Sequence, residues 1–169
     1  MSGLSGAIPS KTSYLSAHEI ASIIDFGRRD SEANPYKNKD DDFSDLIMFY
    51  LLTGCRKNEA LRLKASDHNF PDGTLTFRDT KSGRDHTIPC TGFIEQIINR
   101  QLPSSVNARI FPYSESSYRT KLNKMRNSLG FKKHWTTHDL RRTFSEHCQL
   151  IGVDIHLIAS CLNHAPAGV

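Results

Sequence analysis

The sequence predicts a mainly α-helical α+β fold carrying one small antiparallel β-hairpin sheet. Three observations point there. Apolar residues recur at helical spacing over most of the chain, as at Phe93, Ile94, Ile97 and Ile98. One stretch breaks that rhythm, with Asp72-Gly73, an alternating Thr74-Leu75-Thr76-Phe77 run and a Ser82-Gly83 turn. A chain of 169 residues supports one ordinary core, burying roughly 68–70% of its unfolded surface, and not two.

Along the chain, residues 1–13 are rich in Gly and Ser and read as a flexible lead-in. Ser16 and Glu19 form a capping box for a helix whose apolar face is Ile20, Ile23, Ile24 and Phe26. A polar loop over 34–42 ends in three acids, which suit the start of the next helix, 42–53, through its macrodipole. Gly54 interrupts that helix and 57–63 resumes it, so Arg56 and Glu59 sit three apart on one face. The hairpin pairs 74–77 with 84–89 and places Lys81 at its tip. Everything beyond is helical. A helix around 93–98 is closed by Pro103, and 116–128 is ended by Gly130. Thr136 or Thr137 caps 138–150, and Asp154 caps 155–163. No repeat or second domain is visible.

Composition excludes more than it selects. The 22 Lys and Arg exceed the 18 Asp and Glu by a net +4, an excess that allows a polyanionic partner without demanding one. The longest apolar run, 46–52, falls far short of the ~20 residues a membrane span needs, so no membrane partner is expected. Cys55, Cys90, Cys148 and Cys161 stand far apart with no C-x-x-C pair, and read as free thiols in a reducing cytoplasm. His134 and His138 lack the glutamate of H-E-x-x-H, and no metal site or metal-dependent nuclease is expected.

Three short motifs carry chemistry, and each alone has an ordinary structural reading. Thr53-Gly54-Cys55-Arg56-Lys57-Asn58-Glu59 sets an arginine just after a glycine break with an acid one turn on, which could equally be a surface ion pair. His138 and Arg141 lie three apart near a helix start, where both tips reach one phosphate-sized anion, with Arg142 turned roughly 100° away. His164 ends the last helix, where a histidine commonly just complements the dipole. Lys81 on a hairpin tip is ordinarily a solubilising turn residue. Between 116 and 142, Arg119, Lys121, Lys124, Arg126, Lys132, Lys133, Arg141 and Arg142 face one acid, Asp139, a surface suited to a duplex backbone.

In order, T-G-x-R-x-x-E-x-x-x-L, a lysine-bearing hairpin, T-x-H-x-L-R-R-T and L-x-H resemble the tyrosine recombinase family of phage-type integrases, across residues 14–169 as its C-terminal catalytic domain. The resemblance implies roles. Arg56 and Arg141 clamp the non-bridging oxygens of the scissile DNA phosphate, Lys81 protonates the departing 5′ oxygen, and His138 accepts the nucleophile's proton. His164 donates to the phosphate and Glu59 braces the arginine. It implies transesterification through a 3′-phosphotyrosyl link without metal, ATP or other cofactor, on double-stranded DNA, with a homotetramer on DNA for the full-length protein and a monomer for this fragment. A type IB topoisomerase and a non-catalytic helical DNA-binding module are the alternatives.

Two departures from the family pattern stand out. Asn163 occupies the place of a usual glycine, and Asn tolerates left-handed backbone well. The nucleophilic tyrosine is implied on a helix beyond His164, where only 165–169 follow. None of Tyr14, Tyr36, Tyr50, Tyr113 and Tyr118 takes its place, so the fragment is expected to lack both its tyrosine helix and an N-terminal clamp domain, and to bind DNA without cleaving it.

Overall fold

The computed structural model describes residues 14–33, 43–81 and 83–164; the lead-in over 1–13 and the polar loop over 34–42 lie outside the described residues. Ser16 starts the first helix as its capping box requires. The Glu19 amide donates to the Ser16 hydroxyl at 3.2 Å while the Ser16 amide donates to the Glu19 carboxylate at 2.8 Å. The helices are α1 (Ala17–Ala33), α2 (Phe43–Thr53), α3 (Lys57–Arg62), α4 (Gly92–Gln101), α5 (Glu115–Leu129), α6 (Thr137–Leu150) and α7 (Ile155–Cys161). Between α3 and α4 lie a 3-10 turn, Ala65–Asp67, and the strands β1 (His68–Asn69), β2 (Thr74–Phe77) and β3 (His86–Pro89).

Helix α2 is the hub. Phe43, Leu46, Ile47, Phe49 and Tyr50 are buried around its circumference, and a helix that is apolar on all sides belongs inside a fold. It packs on α1, α3, α4 and α6. Its one buried acid, Asp45, is fully engaged. Arg100 donates to it through Nε at 3.0 Å and Nη2 at 2.6 Å, and Gln101 Nε2 donates at 2.9 Å. The pair of contacts ties α4 to the hub, because a carboxylate out of water needs its donors supplied by the protein.

The antiparallel sheet runs β1-β2-β3, with Leu75 opposite Ile88 and Phe77 opposite His86. Leu75 and Phe77 face the core and Thr76 pairs with Thr87 on the other face, the alternation read from the sequence. Several boundaries differ from expectation. β1 was not foreseen, since two residues are too few to show a period. β3 begins at His86, not at 84, because the Asp85 carboxylate is held by Arg78 and by the Asp79 amide in the connecting turn. Helix α7 stops at Cys161, two residues before 163. Ile24 and Phe93, expected in the core, are 39% and 71% exposed and border an apolar groove between α1, α4 and α6. Among the described residues no helix is long and apolar enough to cross a membrane, and all four cysteines are free.

Replacing Asp45 by alanine leaves the Gln101 amide and the Arg100 guanidinium without this acceptor. The expected loss is about 1–3 kcal/mol of unfolding free energy, read from the urea midpoint.

Candidate active site

The site is built on a glycine. At the end of α2 the chain must turn sharply, and Gly54 does so at φ +62. A β-carbon there would meet Leu162 Cδ2 at 2.6 Å and Phe144 Cδ1 at 2.7 Å, so both the backbone and the packing exclude a side chain. The Gly54 carbonyl is thereby turned toward α6, where it accepts from Arg141 Nη1 at 2.6 Å, and the Leu162 carbonyl accepts from Nη2 of the same guanidinium at 2.6 Å. Arg141 is only 7% exposed, and no carboxylate pairs with it among the described residues. Burial first, and then the charge of Arg56, push its pKa down. It is a fixed cation short of counter-charge, with Nε–H and the second Nη1–H left over from its five donors.

Arg56 is the N-cap of α3, with extended backbone. Its amide donates to Glu59 Oε2 at 2.7 Å and its Nη1 to Glu59 Oε1 at 2.8 Å. Glu59 is buried while the Arg56 side chain stays 31% exposed. The acid therefore both caps the helix and aims the guanidinium, which the three-residue spacing had suggested.

Across from these arginines, β2 and β3 present Lys81. Thr80 is buried beside it, donating from Oγ1 to the Arg84 carbonyl at 2.6 Å and accepting from Asn163 Nδ2 at 2.9 Å. Asn163 adopts φ 50, the left-handed value anticipated from its replacement of glycine. Helix α6 begins at Thr136, which with Asp139 makes a capping box that projects His138 from its first turn.

Arg56, Lys81, His138 and Arg141 come together as the walls of one cleft of about 480 Å³, joined by Cys55, Lys57, Asn58, Glu59, Arg62, Asp79 and Thr137. His164 does not line it. Its Nε2 stands 3.0 Å from Arg141 Nη2 and accepts from it, so the ring braces the arginine from behind. Burial, then the charges of Arg141 and Arg56, hold the imidazole below its usual 6.5. Five cationic side chains thus line the cleft against two acids, Asp79 and the already engaged Glu59.

The nucleophiles within the described residues are unsuited to that cleft. The Cys55 thiol at its wall is pushed up to about 12, chiefly by burial. No tyrosine lines the cleft. Tyr50 is buried in α2 with its hydroxyl donating to the Lys57 carbonyl at 3.1 Å, and its pKa is raised by burial. Tyr118, bonded to Thr137, is pushed up to about 12 for the same reason. Tyr113 is buried, Tyr14 packs edge-on against His147, and Tyr36 lies outside the described residues. Also among those residues, no group of three His, Cys, Asp or Glu is placed to hold a metal ion.

The basic stretch over 116–142 is less uniform than its composition suggests. Arg119, Lys124, Lys132 and Arg142 are exposed and Lys133 is half-buried. Arg126 instead lies over the Trp135 ring at 5.3 Å, half-buried, and Lys121 Nζ lies 5.8 Å from the Tyr113 ring centroid. Arg142 is 3.5 Å from the Asp139 carboxylate. Two features of the site escaped sequence reasoning: the Gly54 and Leu162 carbonyls that hold Arg141, and the bond from Asn163 to Thr80. The asparagine at the family's glycine position was the one signal available.

The fold is that of tyrosine recombinase catalytic domains. The catalytic domain of bacteriophage HP1 integrase matches it with a TM-score of 0.63 at 24% identity, over 90% of this chain and 81% of that one. The XerH site-specific recombinase bound to its difH substrate, in a pre-cleavage complex, matches with a TM-score of 0.66 at 18% identity, over 90% and 47%. In sequence, tyrosine recombinase XerA of Pyrococcus furiosus is 32% identical over 138 residues, 74% of this chain and 48% of XerA. The chain belongs to the phage integrase family, whose model matches residues 13–167. It spans about half the length, or less, of the curated relatives it matches.

Two outcomes follow from the geometry. Gly54→Ala forces a left-handed alanine against Leu162 and Phe144, and is expected to lower stability by about 2–4 kcal/mol in urea unfolding. The depressed His164 makes stability pH-dependent with a defined sign. As pH falls through 6.5 the unfolded chain takes up a proton that the folded chain refuses until lower pH, so this contribution is complete above 6.5 and is lost below it. His164→Gln is expected to flatten that part of the stability profile, measured by urea midpoints on either side of 6.5.

Proposed function

We propose that this chain is the catalytic domain of a site-specific DNA recombinase or integrase, which cuts and rejoins DNA strands through a 3′-phosphotyrosyl intermediate. The observation that carries the reading is the convergence of Arg56, Lys81, His138 and Arg141, scattered over the sequence, on a single cleft. A phosphodiester placed there meets two guanidinium groups, and their fork geometry matches its non-bridging oxygens. As a tyrosine oxygen attacks phosphorus, negative charge grows on those oxygens, and preorganised donors stabilise it without rearranging.

Protons balance within the same cleft. His138 takes the proton of the attacking phenol as the O–P bond forms. Lys81, on its hairpin, gives a proton to the 5′ oxygen as the P–O5′ bond breaks. Glu59 and His164 hold the two arginines in place. One phosphoester is exchanged for another, so the reaction calls for no metal, ATP or other cofactor.

Double-stranded DNA is the partner this reading assigns, supported by the DNA-bound XerH neighbour and by the exposed Arg119, Lys124, Lys132 and Arg142, with Lys121, Arg126 and Lys133 at their margin. The full-length enzyme acts as a homotetramer on DNA, in the cytoplasm, where the four thiols stay reduced. Because no described tyrosine reaches the cleft, these 169 residues alone bind DNA as a monomer without cleaving it.

A longer chain that supplies the tyrosine is expected to form a covalent protein–DNA adduct on a nicked duplex, seen as a band resistant to denaturing electrophoresis. Arg141→Ala should lower the rate of adduct formation on the order of 10²–10³-fold, and chelator should leave it unchanged. A non-catalytic DNA-binding module would bind the duplex and yield no adduct.

A further inference from the structure

Beside the main cleft lies a second, of about 340 Å³, walled by Glu59, Arg62, Lys64, Asp67, Arg78, Asp79 and Arg109 among others. Glu59, Arg62 and Asp79 belong to both, so the two clefts adjoin. The second is framed by backbone hydrogen bonds between two loop segments. Lys64 and Arg109 face each other in an isolated antiparallel bridge. Around it the Ile110 amide donates to the Leu63 carbonyl at 2.9 Å, the Ala65 amide to Ala108 at 3.1 Å and the Ser66 amide to Val106 at 2.8 Å.

That bridge sets two cations directly opposite one another. Side chains so opposed stand with β-carbons about 4.5–5.5 Å apart, and like charges in that position repel. Two of the three acids that line this cleft are engaged elsewhere. Glu59 is bound to Arg56, while Asp67 accepts from Arg78 Nε at 2.7 Å and from the Lys64 amide at 2.9 Å. Arg62 turns its guanidinium to the Asn58 and Asp79 carbonyls. Neither Lys64 nor Arg109 makes an ion pair among the described residues, and both side chains are exposed.

Two opposed cations, fixed by backbone bonds and left without an acid, are stabilised by an anion from outside. We infer that Lys64 and Arg109 form a second phosphate-binding shelf, which takes the sugar-phosphate backbone of the duplex next to the phosphate held in the main cleft. The inference rests on the recombinase reading of that cleft, since it is the same polyanion that runs from one cleft into the other. It adds a contact from residues that follow α3 and precede α5, outside the basic stretch over 116–142.

Salt titration tests it. Each phosphate contact contributes about 0.9 to the slope of log affinity against log salt. With a fluorescent duplex and the 169-residue chain, K64Q/R109Q is expected to bind more weakly and to lower that slope by about 1.8. Its deficit relative to the native chain then narrows about tenfold between about 50 and 200 mM salt. K64R/R109K, which keeps both charges, is expected to keep the slope. Thermal melting without DNA is expected to show the neutral variant at least as stable as the native chain, because a repulsion has been removed. A folded K64Q/R109Q variant with an unaltered slope overturns the shelf and leaves the recombinase reading standing. Failure of the native chain to bind duplex DNA in a salt-dependent way overturns both.

Discussion

A buried guanidinium with no carboxylate partner among the described residues is the constraint around which the rest of the molecule is arranged. Arg141 is fixed by two backbone carbonyls, from Gly54 and from Leu162, that lie far apart in the chain. Carbonyl dipoles stabilise a cation without neutralising it, so the group stays charged, oriented and unsatisfied. A carboxylate in their place would have given a more comfortable ion pair and a weaker attraction for any third party. The tight turn at Gly54, the packing of Phe144 and Leu162 on it, and the arrival of α7 beside α6 all serve to bring those two carbonyls to one side chain.

The second arginine is treated differently. Arg56 does have its own acid, but Glu59 is buried and Arg56 is not, so the ion pair works as a mount that directs the exposed donors outward. Lys81 is held through its neighbour, since Thr80 is buried and bonded on both sides while the lysine itself is exposed. One cation is buried, one is steered by its acid and one is exposed on a hairpin. That gradation matches the demands of phosphoryl transfer, in which the oxygens that gain charge stay nearly in place while the leaving oxygen travels.

Much of this was legible in the sequence because it is local. The capping box at Ser16, the N-cap at Thr136 or Thr137, the break at Gly54 and the Arg56–Glu59 spacing each depend on residues within one turn of each other, and short-range rules describe them. The convergence of the motifs could be read only through their order and family likeness. What stayed hidden is long-range. Nothing in the composition of 116–142 distinguishes Arg119, which is exposed, from Arg126, which packs on Trp135. No pattern of side chains announces a carbonyl as a ligand, which is why Gly54 and Leu162 were missed as holders of Arg141. The exposure of Ile24 and Phe93 was likewise invisible, because helical spacing shows which residues share a face and not whether a neighbour covers it.

Asn163 answers two requirements that no other common side chain meets together. Its backbone is left-handed, which favours glycine or asparagine. Its amide nitrogen must donate to Thr80, whose own hydroxyl proton is already committed to the Arg84 carbonyl. Glycine satisfies the first requirement and drops the second, while aspartate offers that hydroxyl only a second acceptor. Asn163 thus tethers the end of α7 to the hairpin that carries Lys81, a link that glycine at this position would remove.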